Sequence, residues 1–190
     1  MGSPTGRRAE RFRHFIRQDY LYLVNYTRVF APACGPSLEL MRRFGGLAQE
    51  TLAVETELHL AFAAEWEIAP EELETEAIAP TPRAYTDFLL RRAALGDYSE
   101  LIAALLACAW GYSWLGLTLA AEEHAERYAR WIDMYASPEF AELADWLRDV
   151  TDEIAVGAGE AGRARMREAF FQSSRYELAF WEAAWRLERP

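Results

Sequence analysis

From Leu101 to Ala121 the chain carries no charged residue, and Gly111, Tyr112 and Ser113 sit in the middle of that run. A stretch this long and apolar becomes either a helix across a bilayer or a helix buried at the centre of a protein. Its flanks favour the second outcome. Asp97, Glu100, Glu122 and Glu123 bracket it, and no Lys or Arg adjoins it to set an orientation in a membrane. The expectation is a central core helix without a membrane partner, and the rest of the chain must supply the faces that cover it.

Those faces read as helices. Apolar residues recur at three- and four-residue spacing along nearly the whole sequence, and no segment alternates convincingly as a strand. Met1–Ala9 is expected to be disordered. A first helix then runs from about Glu10 to Phe30 and stops at Pro32, Gly35 and Pro36. Ser37 caps a second helix reaching about Ile68. The acidic, proline-bounded stretch from Ala69 to Pro80 reads as a loop with at most one helical turn.

Thr81 and Pro82 offer a cap and a first-turn proline for a helix that stops near Gly96. Asp97, with Glu100 three residues later, resembles a capping pair for the central helix. A shorter helix carries Trp131 and Tyr135. Ser137-Pro138 opens another that reaches about Val156, Gly157–Gly162 breaks it, and Arg163–Arg186 forms the last. Six or seven long helices with short connections make an all-α bundle, a single domain over residues 10–190.

Apolar residues make up 52% of the 190, enough for a substantial core, and the net charge of −10 argues against a nucleic-acid partner. All 20 basic residues are arginines, which excludes a Schiff-base lysine, a P-loop lysine and a catalytic ammonium. Cys34 and Cys108 are the only cysteines and nothing at the N-terminus reads as a signal peptide, so a reducing cytoplasm is the default.

Three polar groups sit on faces that should point inward. Phe12, Phe15, Ile16, Asp19, Tyr22, Leu23 and Tyr26 share one face of the first helix. Cys108 and Tyr112 stack one turn apart on the central helix. Met166, Phe170, Ser173, Glu177, Phe180 and Trp181 share a face of the last. A lone cysteine in such a place is usually a small core residue, and a lone carboxylate is usually tied to an arginine or a helix end. A thiol and two carboxylates, each with aromatics one turn away, read together as a site, because burying a carboxylate costs several kcal/mol unless something offsets it. Cys34, in a Pro/Gly turn, reads as incidental.

Metal chemistry has little support. The Glu-x-x-His pair of a di-iron bundle is absent, because Arg11, Thr56 and Ala121 stand three residues before His14, His59 and His124. Glu55 and His59 share a face, but two ligands without a second pair leave His59 as a structural residue or one that supports a site from behind. No metal is expected.

Six segments in order resemble the TenA family, thiaminase II, in its cysteine-bearing branch. They are Arg-Gln-Asp-Tyr-Leu-Tyr-Leu (17–23), Glu-Thr-Glu-Leu-His (55–59), Pro-Arg-Ala-Tyr-Thr (82–86), Leu-Leu-Ala-Cys-Ala-Trp-Gly-Tyr (105–112), Trp-Ile-Asp-Met-Tyr-Ala-Ser-Pro-Glu-Phe (131–140) and Ser-Ser-Arg-Tyr-Glu-Leu-Ala-Phe-Trp (173–181). The resemblance implies a heme-oxygenase-like helical fold without heme or other cofactor, a homotetramer, and hydrolysis of aminopyrimidines in thiamine salvage. The expected substrate is 4-amino-5-aminomethyl-2-methylpyrimidine, with thiamine itself as a second one.

It also implies roles. Cys108 would add to the pyrimidine ring, Glu177 would exchange a proton with a ring nitrogen, and Asp19 would hold the amino edge. Tyr22, Tyr85, Tyr112 and Tyr135 would position the substrate or the thiol, and Phe180 would pack on the ring. In one respect the chain departs from the pattern. Family members usually carry a further helix and a His-Pro-Phe segment ahead of the Arg-Phe-Arg-His-Phe region, and Met1–Ala9 contains no such motif. Two other functions compete: a non-catalytic carrier of thiamine-related pyrimidines, and an oxidative enzyme on the same scaffold.

Overall fold

The computed structural model describes residues 4–35 and 37–190, and among them every regular element is helical. The chain gathers into two compact units. The first comprises Met1–Leu95 and Leu178–Pro190, and the second is the continuous segment Gly96–Glu177.

The first unit is organised by α1 (Pro4–Ala33), which packs against α2 (Leu38–Glu50), α3 (Thr56–Glu65), α4 (Pro70–Thr75) and α5 (Pro80–Leu95). The disorder expected before Glu10 is corrected: the helix is already formed at Pro4, while Met1–Ser3 lie outside the described residues. At the other end α1 absorbs Pro32 and stops beyond it. Pro32 removes one backbone donor from the last turn without stopping the helix before Ala33, and Gly35, at φ 58°, takes the left-handed conformation that ends a helix. The expected stop at Pro36 falls outside the described residues.

Ser37 caps α2 as expected, accepting the Leu40 N–H at 3.1 Å. The single helix expected up to Ile68 has a different interior. Between α2 and α3 the chain takes one π-helical turn, Thr51–Glu55, where the Thr56 hydroxyl donates to the Thr51 and Leu52 carbonyls. One extra residue in that turn resets the face that α3 presents to α1.

α3 ends on a Schellman motif. Ile68 N–H reaches the Ala63 carbonyl at 3.0 Å and Glu67 N–H reaches that of Ala64 at 3.1 Å, with Glu67 at φ 58°. This turn buries Ile68 beside Ala63, Leu73 and Tyr20. Six residues of the expected loop fold as α4, which is tied back by the Arg17–Glu76 ion pair. Buried Gln18 donates to the Ala77 carbonyl and accepts the Ala79 N–H at 2.7 Å. α5 begins at Pro80, two residues before the expected proline. Thr81 does not cap it; instead Thr81 gives its N–H and hydroxyl to the Glu188 carboxylate at 2.9 and 3.1 Å. A carboxylate at a helix N-terminus satisfies orphan donors and the helix dipole together.

The second unit surrounds α6 (Tyr98–Ala120), which packs against α7 (Ala129–Tyr135) and α8 (Pro138–Gly157). Among the described residues α6 is the one helix long and apolar enough to cross a membrane, yet 67% of its most apolar window is buried in protein, as a core helix requires. Asp97 caps it by accepting the Ser99 N–H at 3.1 Å. That bond and the Ser99 hydroxyl hold the Asp97 carboxyl below its ordinary pKa, with Arg165 adding to them. Glu100 receives the Arg165 Nε–H at 2.9 Å. Ser137 caps α8 as expected. The glycine break is shorter than expected, because Gly157 still belongs to α8 and α9 (Glu160–Arg186) begins before Gly162.

Gly116 lets α6 touch the end of α7. A Cβ there would sit 2.4 Å from the Tyr135 carbonyl carbon and 2.7 Å from the Ala136 nitrogen, both backbone atoms that cannot rotate away. Gly116→Ala should therefore lower stability by about 1–3 kcal/mol in urea unfolding. Gly111→Ala, five residues earlier in open space, should raise it by about 0.5–1 kcal/mol.

Candidate functional site

The eight residues expected to act fall into two sets of four, one in each unit. In the first unit, α1 carries Asp19 and Tyr22, α5 carries Tyr85, and the end of α9 carries Phe180; all four are buried. The Tyr22 ring stacks on Tyr85 at 5.0 Å and meets Phe180 edge-on at 5.5 Å. Phe15, one turn before Asp19 on the same face, also meets Phe180 at 5.9 Å and stacks on Trp181 at 4.4 Å. Asp19 thus lies on α1 between two aromatic turns that share Phe180. Each such ring pair contributes about 0.5–1.5 kcal/mol beyond its buried area, so the wall around the carboxylate is stiff.

Asp19 is 2% exposed, and its charge is answered by His59 of α3, which is fully buried. His59 Nε2 stands 2.8 Å from Asp19 Oδ2, and Nδ1 stands 2.6 Å from the Glu55 carbonyl oxygen. Burial by itself pushes the His59 pKa down. The hydrogen bond and charge of Asp19 outweigh that effect, with help from Glu55, and the net direction is upward. His59 is the residue that sequence reasoning undervalued. Its signal was there in two parts, an inward-facing Asp19 in need of a donor and a histidine one turn beyond Glu55.

In the second unit, Cys108 and Tyr112 lie one turn apart on α6 and Tyr135 ends α7; all three are buried. Tyr112 and Tyr135 pack with ring centroids 4.8 Å apart, and Trp131 lies against both. Glu177, half-buried, is on α9. The register of α9 on α6 is set by Arg165 against Asp97 and Glu100, and by Ser173, whose hydroxyl donates to the Ala104 carbonyl at 2.8 Å. Ala104 lies one turn before Cys108 on α6, and Ser173 lies one turn before Glu177 on α9. Cys34 is half-buried with its Sγ on the Phe30 carbonyl, a local helix-end bond, and belongs to neither set. Among the described residues no three His, Cys, Asp or Glu side chains cluster as metal ligands.

The buried pair has a pH signature. The folded-state pKa of His59 stands above the ordinary 6.5, so the stability it contributes is complete below that value and is lost as pH rises through the folded-state pKa. Asp19→Ala should cost about 3–5 kcal/mol near pH 6, because it leaves a buried imidazole without its counter-charge. The gap between mutant and wild type should narrow as urea unfolding is repeated toward about pH 9. A gap that stays constant or widens would refute the assignment of the charge to His59.

The TENA/THI-4/PQQC family matches residues 4–187 of this chain in one span that takes in both units. An aminopyrimidine aminohydrolase of Halalkalibacterium halodurans is 42% identical to it over 92% of this chain and 80% of the relative. A second, from Bacillus subtilis, is 34% identical over 94% of this chain and 77% of the relative. Among solved structures, a TenA homologue protein from P. horikoshii superposes with a TM-score of 0.84 at 31% identity, over 94% of this chain and 84% of that one. The fold and the sequence agree: the chain belongs to the TENA/THI-4/PQQC family.

Proposed function

We propose that the chain is an aminopyrimidine aminohydrolase, a thiaminase II acting in thiamine salvage. It converts 4-amino-5-aminomethyl-2-methylpyrimidine and water to the hydroxymethylpyrimidine and ammonia, and thiamine is a second substrate. The observation that supports this reading is the buried Cys108 one turn from Tyr112 on α6, with Ser173 of the helix that bears Glu177 bonded to the Ala104 carbonyl one turn before the thiol. The two aminohydrolases at 34–42% identity support it.

In this reading the Cys108 thiolate adds to a ring carbon while Glu177 protonates a ring nitrogen. The ring electrons then expel ammonia from the 5-methylene carbon, water adds to that carbon, and the thiolate departs as Glu177 takes its proton back. One difficult substitution becomes several easier steps. Asp19 binds the amino edge of the pyrimidine, Tyr22, Tyr85, Tyr112 and Tyr135 position substrate or thiol, and Phe180 packs on the ring. A nucleophilic thiol must stay reduced, which supports a cytoplasmic location. The exposed row Trp110, Trp114 and Leu117 on one face of α6 supports assembly as a homotetramer.

Ammonia release from the aminomethylpyrimidine tests the proposal. Cys108→Ala should reduce it to background, and Glu177→Gln should lower kcat by about 10²–10⁴-fold with the shape of the site kept. Unchanged turnover in Cys108→Ala would refute the mechanism. Tight pyrimidine binding with no product from wild type would instead identify a carrier.

A further inference from the structure

The hydrogen bonds of His59 count its protons. The Glu55 carbonyl can only accept, so Nδ1, 2.6 Å away, carries a hydrogen. The contact of Nε2 with Asp19 Oδ2 at 2.8 Å holds one more, on the ring or on the carboxyl. The environment places it on the ring. Asp19 on α1 and Glu55 beside its own helix are the charged groups that act on the imidazole, both are acidic, and the ring's affinity for protons is raised. Neither partner is placed by chance. The π-helical turn sets the Glu55 carbonyl under the ring, and the Thr51 hydroxyl bonds the Glu55 carboxylate at 3.2 Å. Full burial leaves the ring no other partner to turn to.

We propose that His59 is the positioning residue of the Asp19 carboxylate: a buried imidazolium, clamped on the Glu55 carbonyl, that holds one carboxylate oxygen and leaves the other to receive the amino group of an aminopyrimidine. The proposal rests on the aminohydrolase reading for its substrate class and on the hydrogen-bond geometry for the rest. It separates two tasks that one side chain would otherwise perform. Asp19 touches substrate, and His59 fixes the direction of its carboxylate, as a partner behind a ligating or catalytic group does elsewhere.

Two readouts test it. In protein labelled with ¹⁵N-histidine, one of the three imidazoles should retain both ring N–H protons at a pH where the other two have become neutral. That signal should vanish in His59→Gln, and three neutral rings in wild type would overturn the proposal. Kinetically, the Gln amide can still donate to Asp19 but has no charge and cannot also hold Glu55. His59→Gln should lower kcat/KM for the aminomethylpyrimidine by about 10- to 100-fold, carried by KM, the size expected for loss of one charge-assisted hydrogen bond.

The wild-type profile of kcat/KM should also fall on its basic side as His59 loses its proton, and His59→Gln should lack that limb. The same limb in both proteins, or a loss confined to kcat, would overturn the positioning role. His59→Asn, whose shorter amide reaches Glu55 but not Asp19, should be the more damaged in KM of the two. Absence of turnover by wild type would overturn the aminohydrolase reading and the positioning role with it, while the imidazole signals still report the state of the pair.

Discussion

A carboxylate inside an aromatic wall stays charged only if a donor is buried with it, and the local design of the first unit follows from supplying that donor to Asp19. His59 must reach α1 from α3 with one ring nitrogen while the other is satisfied inside its own helix. A regular α-helix running on from α2 would present a different face at that point. The π-helical turn Thr51–Glu55 adds the residue that turns His59 toward Asp19, and the Thr56 hydroxyl holds the turn in place. The aromatic layer of Phe15, Tyr22, Tyr85 and Phe180 excludes water and so strengthens the pair it surrounds. Remove one partner and that layer closes over an uncompensated charge.

The second unit solves a different problem. Its buried functional groups are a thiol and two phenols, which tolerate an apolar surrounding, while Glu177 is half-buried on α9, so α6 can be apolar beyond its first turn. The charges that set its position lie at its start instead, where Asp97 and Glu100 meet Arg165 near solvent. From that anchor the Ser173–Ala104 bond passes the register along α9, and Gly116 allows the Tyr135 backbone to approach within contact distance. Helix placement here is governed by small residues and end charges.

Much of this was legible from residue spacing, and where it was not there is a physical reason. The inward placement of Asp19, Tyr22, Cys108 and Tyr112 followed from 3.6-residue periodicity, which tertiary packing rarely overrides in long helices. The caps at Ser37, Asp97 and Ser137 were local hydrogen bonds between neighbours in sequence and were read correctly. The failures were non-local. Thr81 looked like a cap because its neighbours favour one, but Glu188 supplies the acceptor from 107 residues away. The π turn is invisible to a periodicity that averages over a whole helix. The spacing marks His59 as structural or as supporting a site from behind but does not name Asp19 as its partner, because a pairing 40 residues distant on another helix has no signature within any short window.

The first unit is discontinuous: Leu178–Pro190 belongs with Met1–Leu95, and the whole of Gly96–Glu177 intervenes. During synthesis the second unit can therefore fold as an unbroken segment while the first waits. Until the last stretch of chain leaves the ribosome, Phe180 is missing from the wall that holds Tyr22 and Phe15, Trp185 has not covered Arg11, and α5 lacks the Glu188 carboxylate at its start. Helix α1 is made before the second unit and completed after it. The part of its aromatic face that waits for Phe180 and Trp181, Phe15 and Tyr22, is the part of the nascent first unit most in need of protection from aggregation.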